Sequence, residues 1–303
     1  MPKTIIGRTC LATYPHDGRR YFPITRSYAV NLFGIAERCE QLVKLAGVHG
    51  VVLIEDSAQY FPGGDEKVDW QSDLVVLSFG RGKPVSLLGG GAVISNNAKL
   101  FEQLPKREVK PAGFTQRLSL NVKVRLYNAM IEPRLYWLPQ SLPFLHLGET
   151  RYHTLRDIGA MDQMRLDVLP GNISRYQDDT NASVRCENIS LMLDSLASLP
   201  GKLRNLPRIC DIKANRRLLR YPLLVEASSR DQMYQKLKQA GLGASIMYPV
   251  SLPKIAGVNY LFADQGSFPN AEDFASRVLT LPTQTGVSEN DIDKMNNILS
   301  KLK

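Results

Sequence analysis

Between Ala29 and Glu55 the chain sets one helical period between two apolar runs, an order that few folds accept. Ala29-Val30-Asn31-Leu32-Phe33 reads as a buried strand ended by Gly34. Ile35, Cys39, Leu42, Val43 and Ala46 then recur near one face of a helix over residues 35–46, which Gly47 stops. Val51-Val52-Leu53-Ile54-Glu55 is a continuous apolar run of strand length. Strand, helix, strand in this order predicts a parallel βαβ unit with a right-handed crossover.

The pattern continues. Leu74-Val75-Val76-Leu77-Ser78-Phe79 predicts a third strand, and Ala92-Val93-Ile94-Ser95 a fourth after Gly89-Gly90-Gly91. Residues 104–160 mix basic residues, aromatics and prolines, and predict helices joined by irregular turns. Residues 161–199 read as mainly helical, with Arg165, Arg175 and Arg185 on them. A second domain follows. It has strand candidates at Tyr221–Val225 and Ala244–Tyr248, a helix from Asp231 to Ala240, a helix from Ala271 to Val278, and an extended run Leu279–Pro282. Ser288 is placed to cap the last helix, with Asp291 in its first turn.

With 303 residues, 44% of them hydrophobic, the chain can bury a sizeable core and has the length of about two domains. The formal charge of +9 concentrates anions near the protein without choosing among small molecules, nucleic acid and acidic membrane surfaces. The excess is partly local: Lys106, Arg107, Lys110, Arg117, Lys123, Arg125 and Arg134 face only Glu108 and Glu132 in sequence. Such a cluster is most often a solvated face. A nucleic-acid reading rests on charge alone and lacks a reading helix or an aromatic platform.

The four cysteines have no CxxC spacing and the four histidines no HExxH, so no metal is expected. Reduced thiols in a cytoplasmic protein are the plain expectation. The N-terminus lacks the pattern of a secretory signal. Leu135–Gly148, the most apolar uncharged stretch, is broken by Pro139 and Pro143 and falls short of the ~20 residues of a membrane span. Contact with a membrane surface stays open.

The chemistry sits at strand ends, where open α/β sheets collect ligands. The second strand runs into Glu55-Asp56-Ser57-Ala58-Gln59, and the third into Ser78-Phe79-Gly80-Arg81-Gly82-Lys83. A carboxylate at Asp56 can keep a pyridine nitrogen protonated, and Ser78 can donate to a phosphate. Lys83, on a glycine-bracketed turn, can form a Schiff base with an aldehyde and later shuttle a proton. Singly, each residue is more often structural; the ordered set on successive strands carries the signal. A P-loop fails here: its first glycine would be Leu77, and Pro84 stands where a hydroxyl residue is needed. The triple glycine lacks GxGxxG spacing.

Val52-Leu-Ile-Glu-Asp-Ser-Ala-Gln59, Leu77-Ser-Phe-Gly-Arg-Gly-Lys83 and Gly89-Gly-Gly-Ala-Val-Ile94 together resemble the DegT/DnrJ/StrS nucleotide-sugar aminotransferases. Val30-Asn-Leu-Phe-Gly34, Phe268–Arg277, Val278–Thr283 and Gly286–Asp291 extend the likeness. The resemblance implies the α/β fold type I of pyridoxal-phosphate (PLP) transferases. It would comprise a cofactor domain over residues 1–178, with a mostly parallel sheet, and a smaller α+β domain over 179–303. It implies Lys83 as the residue that bonds the cofactor aldehyde, Asp56 on the ring nitrogen, Gln59 on the ring or its oxygen, and Ser78 on the phosphate. The family has a dehydratase branch with histidine at the lysine position, so Lys83 points to transamination, from a donor such as glutamate to a keto-sugar nucleotide. A homodimer and a role in polysaccharide, lipopolysaccharide or secondary-metabolite sugar synthesis are also implied.

Two features depart from the family pattern. Leu88-Gly89-Gly90-Gly91 replaces Gly-Glu-Gly-Gly, and Asn31 replaces a histidine. Residues 1–28 are shorter than the segment that carries the phosphate-binding turn in the family. The expected result is an N-terminally incomplete cofactor domain with an exposed apolar sheet face, an unpaired edge and weaker PLP affinity. A truncated, inactive member with a binding or regulatory role is therefore the alternative. The basic segment and Leu135–Gly148 are candidates for interface or substrate contact.

Overall fold

The computed structural model of the chain describes residues 26–131 and 159–301, apart from 38, 65, 67–69, 105–107, 110, 112, 197–202 and 263–266. The stretch Leu135–Gly148 and the basic residues Lys106, Arg107, Lys110 and Arg134 lie outside the described residues. The described residues group into two compact units, one drawn from 1–112 and 159–180, the other from 113–158 and 181–303.

The first unit is built on strands β1 (Arg26–Val30), β2 (Val52–Asp56), β3 (Leu74–Ser78) and β4 (Gly91–Ser95), side by side in chain order. β1, β2 and β3 run parallel, and β4 returns antiparallel. Helix α1 (Cys39–His49) makes the crossover between β1 and β2, so the βαβ unit is as expected. Helix α2 (Ala98–Gln103) follows β4, capped by the Asn97 side chain on the Lys99 and Leu100 N–H groups.

The two sheet faces differ. Ala29, Leu53, Val75 and Leu77 are buried on one. There α1 packs through Leu42, Val43 and Ala46, and helix α4 (Gln163–Asp178) through Leu169, Ile173 and Tyr176. Tyr28, Val30 and Val93 stand exposed on the other, beside half-buried Val52, Ile54, Leu74 and Val76. Asp56 and Ser78 belong to this second face. Strand β1 pairs only with β2 among the described residues, which leaves its outer edge open.

Local boundaries depart from the sequence expectation for identifiable reasons. The first strand ends at Val30 rather than Phe33, because the chain turns at Leu32–Gly34, with buried Phe33 at φ 61°. The first helix starts at Cys39, not Ile35. Buried apolar side chains in a turn give the same sequence signal as a strand or helix face.

In the second unit, helix α3 (Phe114–Ile131) precedes α5 (Asn181–Leu196), and α3 groups here although the sequence division at residue 178 put it in the first domain. Strands β5 (Leu203–Asn205), β6 (Arg220–Val225) and β7 (Val278–Pro282) form an antiparallel sheet. A one-turn helix α6 (Leu206–Ile209), then α7 (Ala227–Gln239), α8 (Pro269–Arg277) and α9 (Glu289–Leu299) complete it. Every residue of β7 is buried, with α7 against β7 and α8 against β6. The stretch Ala244–Tyr248 is not a strand; it makes one bridge, Ser245 to Thr280. The three-residue β5 was missed. Ser288 and Asp291 form a complete capping box at α9.

Candidate functional site

Parallel pairing puts the tips of β2 and β3 next to each other. Asp56 ends β2 and is in register with Val30 and Val76, so all three point to the half-exposed face. Ser78 lies two residues beyond Val76 on the same face, roughly 6.6 Å further along the strand. The Asp56 carboxylate is held by the Ala58 N–H at 2.9 Å.

Beyond Ser78 the chain makes a loop and returns as β4. The loop is pinched at its neck by one residue: the Phe79 N–H donates to Gly90 O at 2.9 Å, and Phe79 O accepts from Leu87 N at 2.8 Å and Gly89 N at 3.1 Å. Val85 and Leu87 anchor it in the core. Gly82, at φ 65°, supplies the left-handed residue before Lys83. A Cβ on Gly80 would lie 3.4 Å from Ser78 Oγ and 3.9 Å from Lys83 Cγ. Hydroxyl and lysine stem therefore flank one glycine.

Lys83 is half-buried. Burial pushes its amine below the ordinary value, and the charge of Asp56 acts in the opposite direction without cancelling the effect. The electrostatic coupling brings two of the expected residues together: an amine with part of its population neutral, facing a carboxylate on the neighbouring strand tip. An aldehyde-bearing heterocycle fits this donor set, with the amine for its carbonyl carbon, the carboxylate for a basic ring nitrogen and a hydroxyl for an anionic group. Among the described residues no cluster of three or more His, Cys, Asp or Glu could hold a metal.

Gln59 has a structural partner as well. Its Oε1 accepts from the Phe33 N–H at 2.8 Å, holding the left-handed turn after β1. This bond belongs to a clasp that sequence reasoning missed. Asn31 grips three successive residues: its N–H donates to Asp56 O at 3.0 Å, and its Nδ2 donates to Glu55 Oε1 at 2.8 Å and Ser57 Oγ at 2.7 Å. Its Oδ1 accepts from Glu37 N at 2.8 Å. Glu55, only 4% exposed, also accepts from Ser72 Oγ at 3.0 Å. Burial, then the nearby Glu55, push the Cys39 thiol up to about 12, so it is no nucleophile. Another missed residue is Arg165, in the first turn of α4, whose Nε donates to Leu87 O at 3.1 Å and whose guanidinium pairs with Asp162.

The clasp predicts a cost. Asn31→Ala removes donors from a buried carboxyl, and should lower unfolding stability by about 1–3 kcal/mol in urea titrations.

The sequence profile of the DegT/DnrJ/EryC1/StrS aminotransferase family matches residues 28–123 and 174–300. The dTDP-3-amino-3,4,6-trideoxy-alpha-D-glucose transaminase of Streptomyces venezuelae is 27% identical over 267 residues, covering 86% of this chain and 59% of that protein. The erythromycin biosynthesis sensory transduction protein EryC1 of Saccharopolyspora erythraea is 26% identical over 277 residues, 90% of this chain and 64% of that protein. The chain thus spans about three fifths of the length of these relatives. The crystal structure of a DegT DnrJ EryC1 StrS aminotransferase from Brucella abortus superposes with a TM-score of 0.59 at 23% identity, over 90% of this chain and 62% of that one. NtdA from Bacillus subtilis with bound cofactor PMP gives 0.61 at 18% identity, over 91% and 55%. These likenesses establish the fold as that of the aminotransferases. With both tips of the site inside the matched segments, the chain belongs to the DegT/DnrJ/EryC1/StrS aminotransferase family.

Proposed function

We propose that this protein is a PLP-dependent aminotransferase that moves an amino group from an amino acid, glutamate for example, to a keto-sugar nucleotide. The reading rests on one observation: the depressed amine of Lys83 lies within the field of Asp56 at adjacent strand tips. The matched transaminase of Streptomyces venezuelae, named for a dTDP-amino sugar, supports the substrate class. When bound, the cofactor supplies an electron sink for the carbanion that forms beside the amine.

The chain's own residues do the rest. Lys83 bonds the aldehyde carbon, and once displaced by the incoming amine it takes and returns the proton at the reacting carbon. Burial keeps part of its population neutral at working pH. Asp56 holds the proton on the ring nitrogen, and Ser78 donates to the phosphate. Gln59, with Oε1 engaged by Phe33, reaches the ring or its oxygen through its amide nitrogen. We place the protein in the cytoplasm, as a homodimer in sugar biosynthesis. Its cofactor-binding domain would end near residue 178, followed by a smaller C-terminal one. Among the described residues no helix is long and apolar enough to cross a membrane.

Mixing the protein with PLP should produce a near-visible absorbance that Lys83→Ala abolishes. A parent protein whose added PLP keeps the spectrum of the free compound overturns the reading. A binding or regulatory role without turnover is the second reading. It is favoured by the 24% identical pleiotropic regulatory protein of Geobacillus stearothermophilus. Under it the Lys83-dependent absorbance forms but is unchanged by added glutamate.

A further inference from the structure

Helix α3 has no place in the proposed chemistry, and its surface is unlike that of the other helices. Over its 18 residues, Phe114–Ile131, it buries Leu120 but leaves Phe114 80%, Leu118 55%, Val122 55% and Leu126 58% exposed. These four recur every fourth residue, so they line one face. The helix contains no Asp or Glu, while Arg117, Lys123 and Arg125 are all exposed on it. Within the second unit it packs broadly against no other described element. A helix of this length is marginal in water without a covering partner. The family match stops at 123 and resumes at 174, so half of α3 belongs to a segment particular to this chain.

We propose that α3 lies on an anionic lipid surface, with the Phe114-Leu118-Val122-Leu126 stripe entering the headgroup boundary and the basic residues meeting acidic lipids. Charge selects this occupant. A hydrophobic peptide groove would satisfy the stripe but give no role to three cations without one acid. An anionic bilayer satisfies both, and interfacial helices combine these features. Arg117 and Arg125 flank the stripe, and Lys123 lies further round the helix, within reach of the interface by a long flexible stem. Net charge of the whole chain, +9, adds to the attraction.

The full-length protein should sediment with vesicles of phosphatidylglycerol and phosphatidylcholine, and remain in solution with phosphatidylcholine alone. Each cation near such a surface contributes about fivefold to partitioning, so the double variant Lys123→Glu/Arg125→Glu should bind at least about 25-fold less tightly. Val122→Asp should lose binding while keeping the parent urea midpoint, because Val122 is exposed. Leu118→Asp provides the same test should Val122→Asp fail to fold. Three outcomes overturn the proposal: no sedimentation with anionic vesicles, equal sedimentation with both kinds, or anionic binding that persists in the folded aspartate variants. A dimer that Val122→Asp dissociates, without vesicle binding in the parent, overturns it in favour of a second copy.

Discussion

Asp56→Asn is expected to lower kcat/KM for transamination by roughly 100- to 1,000-fold, the usual scale for removing one preorganised charge from a reacting centre. Asparagine keeps the shape of the side chain and an oxygen for the Ala58 N–H, which Asp56 now holds at 2.9 Å. The fold should therefore be preserved and the loss should be electrostatic. The same substitution has a second signature at Lys83. The Asp56 charge raises the lysine's affinity for its proton against the effect of burial. Without that charge the amine should titrate at lower pH than in the parent, so Lys83 in cofactor-free protein should react faster with an amine-directed reagent near neutrality. Parent-like turnover together with an unshifted reactivity profile would remove Asp56 from the site.

The second large effect is steric. A Cβ on Gly91 would sit 2.5 Å from the Leu77 carbonyl oxygen, a backbone atom that cannot turn aside. Gly91 opposes Ser78 in the β3–β4 ladder, so any relief must move the strand end that carries the site. Gly91→Ala should cost about 1–3 kcal/mol, the range for overpacking a well-ordered interior. A lower urea midpoint at unchanged slope is the expected reading. An unshifted midpoint would mean that the ladder relaxes freely here, and that this glycine is not required by the close approach.

What could be read from the residues divides along physical lines. Strands β2 and β3 were legible because Val52–Ile54 and Leu74–Leu77 are unbroken apolar runs that fit a parallel sheet covered by helices. Asp56, Ser78 and Lys83 were legible because polar residues just past such runs collect at one rim. The direction of β4 was not, since five residues of alternating burial look alike in either orientation. Nor was the Asn31 clasp: its partners are 24 and 26 residues away and meet it only through the register of β1 on β2. Gln59 shows the same limit. Its position in the sequence suggested a ligand contact, and nothing local announced that Phe33, turned to φ 61°, needed an acceptor for its N–H. In the second unit Ala244–Tyr248 has strand composition, yet it finds a pairing partner only at Thr280.

Closure of the lysine loop on the single residue Phe79 separates two design variables. Because both ends meet in the same backbone bonds, the strands receive the same pairing however many residues the loop holds. Chain length between Gly80 and Lys83 sets only how far the amine projects, about 3.3 Å at most for each residue added. Reach can drift in evolution, or be tuned in the laboratory, while the supporting frame stays put.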